Sequence, residues 1–158
     1  MPCNDIRERI EIRLDDDDRL MDYTLVKNTC GAPVGHQALL LGKLQGQQVT
    51  SILNNDENSW INGETSLKDD EFFLYYKHLF AIRAALKVAY GLSRGGPDDV
   101  CAISSMGCDI DGALIEGLIS IEALTQQIKS CGNCNNNDAT ITQSGSGAKD
   151  GDIEFRNN

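Results

Sequence analysis

Asp98–Cys134 reads DDVCAISSMGCDIDGALIEGLISIEALTQQIKSCGNC, and its reading decides the fold. Four of the chain's six cysteines fall in it, at Cys101, Cys108, Cys131 and Cys134. The last two form a C-x-x-C. Between the pairs, Gly112–Leu118 and Ser120–Ile128 are short apolar-periodic segments, which predicts two helices joined by a turn. Such a helix pair returns the chain on itself and brings the cysteines together, as a four-thiolate metal or cluster site requires. The competing reading is that Cys101 and Cys108 are buried small hydrophobes, a common fate of free cysteine.

Working outward, Ser93-Arg94-Gly95-Gly96-Pro97 reads as a linker and predicts a domain boundary. Before it, Asp69–Tyr90 predicts a long helix. Leu79, Ile82, Leu86, Ala89 and Tyr90 trace one face, Lys77, Arg83 and Lys87 the other, and Gly91 is placed to end it. Residues 54–66 read as a polar surface loop, and His36–Leu44 as a helix closed by Gly46. At the N-terminal side, residues 9–14 (RIEIRL) alternate cleanly: Ile10, Ile12 and Leu14 on one face, Arg9, Glu11 and Arg13 on the other. This is a half-buried strand. Asp15–Asp18 is the turn, without the spaced ligands and glycine of a calcium loop. Residues 20–27 complete a hairpin, which runs into Asn28-Thr29-Cys30-Gly31. A cysteine in a glycine-bearing turn ahead of a helix is where a thiolate can sit exposed and stabilised. After Cys134 the chain is polar, with Thr140–Thr142 and Ile153–Phe155 as candidate short strands.

Composition narrows the function. The chain has 158 residues, 41% hydrophobic and 24% charged, in the range of soluble globular domains. No apolar run reaches the roughly 18 residues of a membrane span, and the first residues show no apolar core of a secretory signal. The expected location is cytoplasmic, where six cysteines suggest thiols or metal ligands rather than disulfides. A net charge of −10 opposes nucleic-acid binding and anionic membranes. No nucleophile–base pair, nucleotide-binding glycine loop or paired-carboxylate site is legible, so no enzyme is expected.

The first 93 residues resemble the scaffold domain of the NifU/IscU iron–sulfur cluster assembly family. Cys3-Asn4-Asp5 stands where that family has C-G-D, immediately before the first strand. RIEIRLDDDDRLMDYTLVKNTCG resembles its strand, acidic turn, strand and cysteine turn, with Cys30 matching the second cysteine. HLFAIRAALKVAYG resembles its final helix and puts His78 where the third cysteine would be. The second module resembles the [2Fe–2S] domain in the middle of NifU, related to bacterioferritin-associated ferredoxin. Leu118–Thr125 echoes its helical segment, Cys131 and Cys134 its C-x-x-C, and Cys101 the second cysteine of its C-x-C, with Asp99 in place of the first. The family's N-terminal helical segment, the third scaffold cysteine and the further C-terminal cysteine domain have no counterpart.

The resemblance implies an α+β protein. Its parts would be an antiparallel-sheet scaffold domain at 1–93, a small helical [2Fe–2S] domain at 94–137, and a polar tail at 138–158. Cys101, Cys108, Cys131 and Cys134 would hold the [2Fe–2S] cluster, with Asp99 as the alternative to Cys108. Cys3, Asp5, Cys30 and His78 would form a degenerate site for a second labile cluster or zinc; His36 matches no ligand and reads as a surface residue. The implied role is cluster assembly or delivery. The competing roles are an electron-transfer or structural subunit of a larger redox complex, using the scaffold for docking, and a zinc-stapled interaction module. Protein partners are expected: a client iron–sulfur enzyme or a complex in which the chain is a subunit or oligomer.

Overall fold

The computed structural model describes residues 7–29, 32–34, 37–61, 69–96 and 99–130. It is α+β, as expected, in the element order β1 (Arg7–Leu14), β2 (Leu20–Thr29), β3 (Ala32–Val34), α1 (Leu41–Leu44), α2 (Val49–Asn54), α3 (Glu57–Ile61), α4 (Asp69–Ala89), β4 (Cys101–Asp109) and β5 (Gly112–Ser120). The strands form one antiparallel sheet in the order β3-β2-β1-β5-β4. Residues 121–130 are helical. The chain divides into two compact units, Met1–Thr125 and Gln126–Asn158; of the second, residues 126–130 are described.

β1 organises the first unit because it is paired on both sides. Its alternation buries Glu8, Ile10, Ile12 and Leu14 and leaves Arg7, Arg9 and Arg13 exposed. Tyr23 and Leu25 of β2 and Ile115, Gly117 and Ile119 of β5 extend the buried face. α4 packs against it with Leu79, Ile82, Ala85 and Leu86, all fully buried. The opposite face carries the charge, with Arg9 Nη2 2.8 Å from Glu116 Oε1 across β1 and β5.

The hairpin predicted at 9–27 is present, with the register running from Glu8↔Lys27 to Leu14↔Leu20. Its turn is held by Asp15, whose Oδ1 accepts the Asp17 and Arg19 N–H groups. The long helix is present too. Gly91, at φ +74, ends it: its N–H donates to the Val88 carbonyl and the Leu92 N–H to the Lys87 carbonyl. This paired closure satisfies the last carbonyls and needs a left-handed residue there.

The second module is different from its sequence reading. Gly112–Leu118 is not a helix; it lies in β5, which pairs with β1 from Arg7↔Ser120 to Leu14↔Ala113. Cys101–Asp109 is the outer strand of the same hairpin. A separate helical domain beginning at residue 94 is therefore not what the described residues form. Both strands belong to the sheet of the first unit, and the boundary expected at Ser93–Pro97 does not divide them. The physical reason is the parity of β5. Ala113, Ile115, Gly117 and Ile119 sit on one side, and Ile115, Gly117 and Ile119 bury against a partner that a helix-length window cannot see. Only the following segment, residues 121–130, is helical, with Leu124 buried.

Two smaller corrections concern the helices. Within residues 54–66, Glu57–Ile61 is α3, and its Trp60 and Ile61 are buried. α1 covers only Leu41–Leu44, because Gln37 is tied to β2 through its carbonyl, which accepts the Leu25 N–H at 2.7 Å. Arg83, expected on the solvent side of α4, is buried instead. Its guanidinium donates to the carbonyls of Ile52 and Asn55 at the end of α2, and to Glu57 of α3. An arginine fits there because its planar donor fork can satisfy several carbonyls that a helix end leaves open.

Candidate metal centre

The sheet register sets the start of β1, the close of β2 and the start of β4 at one end of the sheet. Arg7 opens β1, Thr29 closes β2, and Glu8 pairs with Lys27 across that hairpin. The Glu8 carboxylate, 2% exposed, faces inward and accepts the ammonium of Lys77 from α4. Burial of two charges is tolerable only because they meet each other. Cys101 is at this end as well, opposite Ile119, whose other neighbour is Glu8.

Next to Lys77, His78 is buried, and its Nδ1 lies 2.9 Å from the Tyr23 hydroxyl of β2. The Tyr23 oxygen also accepts the Leu40 N–H at 2.7 Å. The Tyr23 hydroxyl thus joins the Leu40 N–H and His78 Nδ1, and which of hydroxyl and Nδ1 donates follows the ring's tautomer. Burial raises the Tyr23 pKa well above its ordinary value, so the phenol keeps its proton. In this arrangement His78 is a packing and hydrogen-bonding residue that ties α4 to β2. Cys3, Asp5, Cys30 and His36 lie outside the described residues.

The expected cluster quartet fares differently. Cys101 and Cys108 sit on the same strand, β4, seven residues apart. At about 3.3 Å per residue their Cα atoms are on the order of 20 Å apart, whereas metal–thiolate bonds are about 2.3 Å long. They cannot ligate one cluster, so Cys108 does not replace the missing family cysteine beside Cys101. Cys101 is 1% exposed, and burial pushes its thiol up to about 11. A Cβ added at Gly117 would lie 3.2 Å from its Sγ, so the glycine leaves room for this side chain. Cys101 is thus a small core residue, the competing reading of the sequence. Cys108 is exposed near the hairpin tip.

Asp99, the alternative ligand, is occupied locally: its Oδ2 accepts the Gly96 N–H at 2.6 Å. Cys131 and Cys134 lie outside the described residues. Among the described residues no group of three or more His, Cys, Asp or Glu is placed to hold a metal. Among the described residues, Cys101 and Cys108 do not converge on one cluster.

Sequence reasoning missed Glu8, Lys77 and Tyr23. The signal for Glu8 was present: it shares strand parity with Ile10, Ile12 and Leu14, so a charge there needs a buried partner. Tyr23 shares the same inward parity on β2, but nothing in its neighbours names His78.

Comparison of the chain with protein-family models, with curated proteins and with solved structures finds no match. Among the described residues no helix is long and apolar enough to cross a membrane.

Proposed function

We propose that the chain is a non-catalytic iron–sulfur protein acting in cluster assembly or delivery, on a scaffold body of the NifU/IscU kind. One observation carries this reading. The β1–β2 register places the start of β1, which Cys3 and Asp5 precede in sequence, at the same end of the sheet as the close of β2, which Cys30 follows. α4 meets that end through Lys77 and Glu8, next to His78. These are the places at which the resemblance puts the scaffold ligands. The proposed donors are Cys3, Asp5 and Cys30, with His78 holding α4 against β2. Soft thiolates with one carboxylate suit iron and sulfide, or zinc. Cys131 and Cys134 are two further thiolates available to a cluster.

A second reading is a structural or electron-transfer subunit of a redox complex. The Glu8–Lys77 pair favours it, because a closed ion pair holds this end together without any metal.

The test is anaerobic purification and reconstitution with ferrous iron and sulfide, followed by metal and acid-labile sulfide quantitation, visible spectra and EPR. Cluster assembly predicts that Cys30→Ser loses the bound iron while Cys108→Ser keeps it, and that the iron passes to an apo-acceptor. Iron that persists through chelator favours the second reading. Zinc alone, or no metal at all, overturns the iron–sulfur assignment.

A further inference from the structure

We draw no further inference here: the strongest candidate, the acidic end of the sheet where the Asp15–Asp18 turn meets the Asp109–Gly112 hairpin tip and the Tyr90 end of α4, is a cluster of carboxylates with no second observation among the described residues that points to a ligand.

Discussion

The β1–β2 and β4–β5 hairpins flank the same sheet, but they are written in different chemistry. From Arg9 to Leu14 charged and apolar residues alternate strictly along β1, and the turn is four aspartates. In β4 and β5 the polar positions are mostly serine, glycine and cysteine, and the contrast between the faces is weak. The first hairpin announces its own fold. The second acquires its fold from β1, which supplies its hydrogen-bond partners and its buried face. Cysteine spacing in the second therefore misleads: two thiols seven positions apart suggest a shared ligand set, and an extended backbone holds them far apart instead.

The sharpest way to break this comparison is at the turns. Gly112 sits at φ +124, and a Cβ there would lie 1.9 Å from the Leu14 carbonyl oxygen. Gly112→Ala should cost more than about 3 kcal/mol in urea unfolding, since neither backbone can yield without breaking the β1–β5 ladder. Asp18, at φ +58 in the other turn, should by contrast accept glycine within about 1 kcal/mol. Native stability in Gly112→Ala would refute the described β5 register.

The buried pair comes next. Glu8→Ala leaves the Lys77 ammonium, whose side chain is 14% exposed, without its partner. A loss of about 3 kcal/mol is expected, with Glu8→Ala/Lys77→Met recovering most of it. An unchanged midpoint in Glu8→Ala would mean that α4 and β1 are not joined there.

Cys101 gives a smaller, pH-dependent effect. Burial holds its thiol up to about 11 in the fold, against an ordinary value of 9.0. Below pH 9 the thiol is protonated in both states and costs nothing. As pH climbs from 9 toward 11 only the unfolded chain ionises, so stability falls. Between pH 8 and pH 10 the loss from this group is on the order of 1 kcal/mol. Cys101→Ala should lose less than the wild type over the same interval. Equal slopes would show that the thiol is not buried, and would reopen its place in a ligand set.

The smallest effect belongs to the exposed sheet face. Arg9→Ala removes an ion pair whose arginine is more than half exposed, and should change stability by no more than about 0.5 kcal/mol at physiological salt. A large change would mean that this face is covered.

Much of the first hairpin, the long helix α4 and the helix after Ser120 could be read directly, because each is specified by local periodicity and by a local turn or cap. Of the candidate site, the sequence offered the residue types but not their company. Strand parity held a signal for Glu8 that was not used, and nothing local named Lys77. Likewise His78 could be seen on α4, but the Tyr23 hydroxyl that fixes its ring comes from a strand 55 positions away.

What the sequence alone determined is the α+β class, the strand face of β1 and the span of α4 to within a residue, since alternation and helical spacing act through neighbours in the chain. Only the tertiary structure decided that Gly112–Ser120 is a strand, that Cys101 is a core residue and that Cys108 stands far from it. A weakly patterned segment takes its conformation from the partner that satisfies its backbone and buries its face, and here that partner is β1, which lies a hundred positions earlier in the chain.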